Sequence, residues 1–455
     1  MSLYQELKKF SQKDRVSFHI PGHKGGEGLS SDWKKDAFSL DVTEFDETDD
    51  LQNPQGILKA AEENAAKIFG SGKSFFLTGG STLGLEAAML ASVRPGDKVL
   101  LDRTCHKAVA NALVLTGGEP VFLSPEFDRG NGVYLGISPD AVADILEQEP
   151  NVTGMVLTSP TYYGICSDIE RIAEVLHQKG KFLIVDEAHG AHFVFSKQLP
   201  KTALLQGADI CIQSAHKTLP ALGQTSLLHL GKKSLISPQA VQSALRILMT
   251  TSPSYLLMSA LDESISFMEN QGAERLAERI EEISALKEKV KKKGVITFLD
   301  KETIEKEQDA TRVVADVRKT GLSGYQVAEQ LKEKFGIYPE MADDYHLVLV
   351  VSVSNTKEDL KRLEEALLSY EEKAGEQEKM LPLPMPKMGM NPREAYMAPR
   401  EKLPLQKAKG RISADVVSVC PPGAAMILPG QWLDEETLHY CEKAGVAEEL
   451  FVIVK

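Results

Sequence analysis

KFLIVDEAHGAH at residues 181–192 and ADICIQSAHKTL at residues 208–219 decide the fold. Each opens on a short run that is apolar on both faces. Each closes on polar residues: Asp186 in the first, then Ser214, His216 and Lys217 in the second. A strand lacking polar alternation belongs in a sheet covered by helices on both sides. Outward from these two, DKVLLD (97–102), PVFLS (120–124), TGMVLTS (153–159) and TSLLHL (225–230) repeat the pattern. Between them SPDAVADILEQ (138–148) and SDIERIAEVLHQ (167–178) have the spacing of amphipathic helices. The alternation predicts an α/β domain on a mostly parallel sheet, spanning residues 56–300.

The rest of the chain divides around that domain. Residues 1–55 read as an irregular N-terminal arm, with FHIPGHKGG (18–26) rich in Gly, Pro and His and LDVTEFDETDDLQNP (40–54) acidic. Long helices are predicted from 236 to 295. A smaller α/β domain follows at 301–375, carrying TRVVADV (311–317) and HLVLVVSVS (346–354). MLPLPMPKMGMNP (380–392) breaks all periodicity and begins a linker and C-terminal domain at 376–455.

The chain has 455 residues, 42% hydrophobic and 26% charged, which excludes disordered and fibrous classes. Its 52 Lys and Arg against 65 Asp and Glu leave a formal charge of −13, and no basic cluster interleaved with aromatics suggests a nucleic-acid partner. No apolar run reaches membrane-spanning length, and no leader is read at MSLYQELKKFSQKDR. The five cysteines have no metal-ligand spacing and their number is odd, so free thiols, a cytoplasmic location and no metal site are expected.

Strand ends in a parallel sheet gather along one edge, where ligands bind. Alone, Lys217 reads first as a solvated loop lysine. With Asp186 at the preceding strand end, the pair is what pyridoxal phosphate chemistry requires: an imine-forming amine and a carboxylate that keeps a pyridine nitrogen protonated. FFLTGGSTLGLEAAMLA passes from strand through glycines into helix, so Gly80, Ser81 and Thr82 form a candidate phosphate site at a helix N-terminus. GGST is common in α/β turns, but it lacks the spacing of nucleotide-binding loops. His106, at a strand-to-helix turn, reads as a helix cap or as an aromatic laid over a cofactor ring.

FHIPGHKGG, LTGGST, CHKAVANAL, SPTYYGICSDI, VDEAHGAH, QSAHKTLPALGQTS, TTSPSYLLMSALD and GRISADVVSVCPPG together resemble the Orn/Lys/Arg decarboxylase family, in the family's order and over nearly the whole chain. The likeness is to its short Gram-positive branch, without the N-terminal wing domain. The resemblance implies the pyridoxal-phosphate-dependent transferase fold type I and decarboxylation of a basic amino acid, lysine or arginine ahead of ornithine, in polyamine metabolism. It implies pyridoxal 5'-phosphate as cofactor, with Lys217 as the imine-forming lysine, Asp186 as partner of the pyridine nitrogen and His106 stacked on the ring. It further implies Ser214 and His216 beside the phosphate loop, His189 near the ring edge and the phenolic oxygen, and Thr161 as a cofactor contact.

Two positions depart from the family pattern: CPPGAAMILPGQ has Cys420 where an aromatic is usual and Gln431 where a Glu is usual. Either the tail has drifted or the substrate pocket has changed. The acidic arm residues Asp41, Glu44, Asp46, Asp49 and Asp50 are candidate contacts for a cationic side chain, or a solvated loop. Arg393 is the nearest candidate for the carboxylate-binding arginine that an aminotransferase would need; a non-catalytic paralogue is a further alternative, disfavoured by the intact Asp186–Lys217 pair. The resemblance also implies a homodimer or higher oligomer with shared sites, Ser252–Tyr255 reaching the neighbour's cofactor. Phe18, Ile20, Trp33, Phe38 and Phe45 in the arm call for a covering surface, on a partner or on the chain's own large domain.

Overall fold

The computed structural model describes residues 2–375, 379–418, 423–446 and 448–454. Seven strands form the main sheet: β1 Lys73–Leu77, β2 Lys98–Asp102, β3 Glu119–Leu123, β4 Val152–Thr158, β5 Phe182–Asp186, β6 Ile210–Gln213 and β7 Ser226–Leu230. Their order is β1-β7-β6-β5-β4-β2-β3. All neighbours run parallel except β7, which is antiparallel to both β1 and β6. This is the predicted α/β architecture.

The unbroken apolar runs have a direct cause. Ile184 of β5 faces one layer with Ala88, Met89 and Leu113, while its neighbours Leu183 and Val185 face another with Ile172 and Leu176. Successive side chains of a strand point to opposite faces, so a sheet buried on both demands apolar residues at every position.

A second core lies around a four-stranded antiparallel sheet of Thr297–Leu299, Arg312–Asp316, His346–Val350 and Met341–Ala342, in that spatial order. Helices Gly324–Phe335 and Lys357–Leu368 cover it. Ile283, Leu286 and Val290 of the long helix Ala273–Lys293 join this core, so that helix bridges the two sheets. Val16 and Phe18 also enter it, through a strand, Val16–Phe18, paired parallel to Ile337–Pro339.

The arm divides. Phe18 is fully buried, and Trp33 donates its indole N–H to Ser259 Oγ at 3.1 Å, both within this chain. Gly22 lies against the loop after Lys217, where a Cβ would meet the Leu219 carbonyl oxygen at 2.3 Å; only glycine permits that approach. Phe38 and Phe45 remain 99% and 63% exposed. The chain's own domains thus cover Phe18 and Trp33 and leave Phe38 and Phe45 uncovered.

The C-terminal segment forms a small core of Leu405, Ile427, Leu433, Cys441 and Val452. Arg103, beyond the end of β2, ties it to the large domain. Its buried guanidinium donates to the carbonyls of Pro384 at 2.9 Å, Ala425 at 2.6 Å and Met426 at 2.7 Å. A buried charge satisfied only by carbonyl dipoles holds this contact tightly, because losing one leaves the cation unsolvated.

Candidate active site

A cavity of about 1360 Å³ opens at the C-terminal ends of the central strands. Gly80, Ser81, Thr82, His106, Thr161, Asp186, His189, Ser214, His216 and Lys217 all line it. The fold brings together every cofactor or catalytic candidate read from the sequence.

Asp186 is the last residue of β5 and is buried, its Oδ1 accepting the Ala188 N–H at 3.1 Å. Lys217 lies on a short helical turn after β6, its Nζ 3.2 Å from His189 Nε2. At the start of helix Gly80–Ser92 no side chain caps the first turn, and Gly80 takes φ +74°, a conformation glycine alone adopts at little cost. Ser81 Oγ lies 2.7 Å from Ser214 Oγ and donates to Ser226 Oγ at 3.3 Å. Uncapped N–H groups, two hydroxyls on the cavity wall and the helix dipole suit a phosphate.

The helix-cap reading of His106 holds. Its Nδ1 accepts the Ala108 N–H at 3.2 Å as the cap of helix Lys107–Thr116, and its ring borders the cavity. Burial lowers its pKa, opposed by the Asp186 carboxylate and reinforced by Lys217. Gly423 of the tail lies on its edge: a Cβ there would sit 2.7 Å from Cδ2 and Nε2. His216 interacts through Nδ1 with the Thr225 carbonyl at 2.8 Å, and burial pulls its pKa down to about 4. His189 is held well below the ordinary histidine value by burial, then by the charges of Lys217 and Arg312. Thr161 is pinned by Ile165, which donates to its Oγ1 at 3.2 Å.

The opposite wall comes from the small sheet. Glu340, Asp343 and Asp344 border the cavity there. Glu340 Oε2 accepts the Ile20 N–H at 2.9 Å and its Oε1 accepts the Tyr162 hydroxyl. Tyr162 in turn packs edge-on to His189, centroids 4.9 Å apart. Asp343 accepts the Tyr163 hydroxyl at 2.7 Å; burial alone would raise its pKa, but His346 and Tyr163 outweigh it and the net direction is down.

The sequence alone assigns no role to Glu340, Asp343, Tyr162, Tyr163 or the buried Arg312, although SPTYYG holds both tyrosines. A usable signal was present in YPEMADDY (338–345), where carboxylates crowd two tyrosines beside a strand, and in the arginine heading the apolar run RVVAD.

Other candidates fall elsewhere. Arg393 donates to the Val114 carbonyl at 2.9 Å and to Leu115, at the C-terminus of helix Lys107–Thr116, so it is not available to a substrate carboxylate in this cavity. Gln431 is fully buried in the tail, its Oε1 accepting the Leu428 N–H at 2.8 Å and its Nε2 donating to Pro386 at 3.3 Å. An amide serves there because it can both accept and donate, which a carboxylate cannot. Cys420 lies outside the described residues. None of Asp41, Glu44, Asp46, Asp49 or Asp50 lines the cavity; Asp49 accepts the N–H groups of Gln55, Gly56 and Leu58 at the start of helix Ile57–Phe69. Ser252–Tyr255 lies away from this protomer's cavity too, with Tyr255 donating its hydroxyl to the Asp49 carbonyl at 2.5 Å.

Residues 1–313 match the Orn/Lys/Arg decarboxylase major domain, and residues 374–451 match the Orn/Lys/Arg decarboxylase C-terminal domain. The chain is similar to an arginine decarboxylase of Bacillus subtilis, 34% identical over 97% of this chain and 93% of that one. It is 31% identical to an arginine decarboxylase of Bacillus anthracis, over 97% of this chain and 92% of the other. Among solved structures, a lysine decarboxylase of Francisella novicida superposes with a TM-score of 0.78 at 20% identity, covering 99% of this chain and 80% of that one, which shows the shared fold. Among the described residues, no helix is long and apolar enough to cross a membrane.

Proposed function

The chain belongs to the Orn/Lys/Arg decarboxylase family and is an amino-acid decarboxylase, a carboxy-lyase; from that premise we propose that it acts on a basic amino acid, arginine or lysine before ornithine. Arginine comes first because the two Bacillus relatives, 34% and 31% identical over 97% of this chain, carry that name. The product, agmatine or cadaverine, would feed polyamine metabolism in the cytoplasm.

One observation carries the reading. Lys217, Asp186 and the uncapped N-terminus at Gly80 share a cavity whose far wall bears Glu340, Asp343 and Asp344. The first three fit the pyridoxal 5'-phosphate that the family implies, and the acidic wall fits a cationic side chain. That cofactor, when bound, supplies a protonated ring that takes up the electron pair left by departing CO2. Lys217 would attach it through Nζ, and Asp186 would hold the proton on the ring nitrogen. His106 would lie on the ring face. Gly80, Ser81, Thr82, Ser214 and His216 would take the phosphate, and Thr161 and His189 would border the ring edge. Lys217 Nζ, with His189 Nε2 at 3.2 Å, is the pair we assign to holding a proton near the reacting carbon. Glu340 would orient the substrate by its far cation, leaving the α-carboxylate toward the apolar wall of Leu85 and Met426.

The division into arm, large domain, small domain and C-terminal domain at 55, 300 and 375 is retained as a working description. A homodimer is part of the reading, supported by the exposed Phe38 and Phe45 of the arm.

Incubating the purified holoenzyme separately with arginine, lysine and ornithine, and quantifying amine and CO2, tests the assignment. Agmatine or cadaverine formed in equal amount to CO2 is expected. Cofactor-loaded protein that consumes none of the three would overturn it.

A further inference from the structure

Arg312 heads the second strand of the small sheet and is 1% exposed, yet its guanidinium is only partly satisfied. Nη2 lies 3.0 Å from His189 Nδ1, whereas Nε and Nη1 are buried without a hydrogen-bond partner. Asp309, three residues earlier, is close enough for Arg312 to lower its pKa, but its Oδ1 is taken by Thr311 and His192 and its Oδ2 has no partner. An arginine serving only stability would be expected to fill such groups, since each buried donor left unmade keeps its full desolvation cost. Arg312 does not line the cavity; His189, which it touches, does.

The chemistry of that contact is one-sided. A guanidinium has five N–H donors and no acceptor, so the nitrogen it meets must present a lone pair. An imidazole with a lone pair on Nδ1 is neutral and carries its hydrogen on Nε2. Nε2 is the atom 3.2 Å from Lys217 Nζ. We propose that Arg312 is a positioning residue that fixes His189 as the neutral Nε2–H tautomer, so that the histidine presents a donor, not an acceptor, to the nitrogen of Lys217. An N–H aimed at the lysine nitrogen favours its lone-pair form, the form that attacks a carbonyl carbon. The opposite tautomer would instead accept from an ammonium and hold Lys217 in its unreactive state.

Four cations or potential cations act in the same direction: Lys217, Arg312, His216 and His106 all disfavour a further positive charge on His189. The Asp186 carboxylate, three residues earlier at the end of β5, is the opposing charge, and the Tyr162 ring meets the imidazole edge-on. Because Arg312 belongs to the small sheet and His189 to the turn after β5 of the large one, the tautomer depends on the two being packed together.

The proposal rests on Lys217 being the attachment nitrogen, and the two fail separately. Mapping the adduct fixed by borohydride tests the attachment. Nitrogen-15 NMR of histidine-labelled full-length protein, as isolated and after cofactor removal, tests the tautomer, with the His189 signal assigned by its loss in H189Q. The expected result is a single Nε2–H imidazole at pH 7 in wild type and in R312K, which keeps a donor-only cation. In R312M, Nδ1–H or imidazolium should appear, and capture of added cofactor at pH 7 should slow at least tenfold. Retention of the Nε2–H form in R312M with unchanged capture would reduce Arg312 to a structural role. Should R312M not fold, wild type alone decides: an Nδ1–H tautomer or an imidazolium at pH 7 overturns the proposal.

Discussion

The two walls of the cavity are built differently. On the large-domain side, Asp186, Ser214 and Lys217 each stand at or just past a strand end, and Ser81 begins a helix a few residues after another. Their placement follows from backbone events within a few residues. On the facing side, Glu340 is held by Ile20 and Tyr162, and the edge of His106 is covered by Gly423. These contacts join the arm, the small sheet and the tail. On the function proposed above, the first wall would carry the groups for bond-breaking at Cα and the second the charge that chooses the substrate. Rate and specificity should therefore separate when the walls are perturbed one at a time.

The largest effect is expected on the first wall. Lys217→Ala should lower turnover by several orders of magnitude while leaving the melting temperature near wild type, and it should abolish the borohydride-fixed adduct. Appreciable turnover would move the attachment nitrogen elsewhere and dissolve the contrast.

A smaller effect should follow on the second wall. Glu340→Gln keeps shape and acceptor capacity for Ile20 but removes the charge. KM for the preferred basic amino acid should rise at least tenfold, in line with the roughly 1.5–3 kcal/mol of a charged hydrogen bond, with kcat changing less. Steady-state kinetics with arginine and lysine would show this. An equal fall in kcat with unchanged KM would assign Glu340 to the chemistry instead.

Smallest should be Arg393→Ala, outside both walls. Removing its bonds to Val114 and Leu115 takes a cation from a helix C-terminus. A loss of about 0.5–2 kcal/mol in stability is expected by chemical denaturation, with kcat/KM within twofold of wild type. A large kinetic defect would restore it as a substrate ligand.

How far the sequence could be read follows the same division. The strand runs, the glycine turn and the Asp186–Lys217 pair were legible because their causes are local. The overreadings share a cause as well. Arg393 looks like a ligand in the chain, and Gln431 like a change in the substrate pocket, but both are consumed by nearby backbone groups, and Asp49 caps the helix that follows it. A polar side chain is assigned to substrate or to backbone only by what lies within 3 Å of it, and composition carries no such information. Phe18 and Phe38, both apolar and twenty residues apart in one arm, meet opposite fates for the same reason.

By itself, the sequence determined the sheet, because side chains alternate faces with a period of two and Leu183, Ile184 and Val185 leave no polar face to expose. It also determined that a lysine, a carboxylate and a helix N-terminus would meet, because parallel strands deliver their ends to one edge. Only the tertiary structure decided what faces them. That choice depends on packing between segments hundreds of residues apart, as Ile20 with Glu340 and Arg103 with Ala425. It is also why Arg312, an unremarkable head to an apolar strand, comes to rest on Nδ1 of His189.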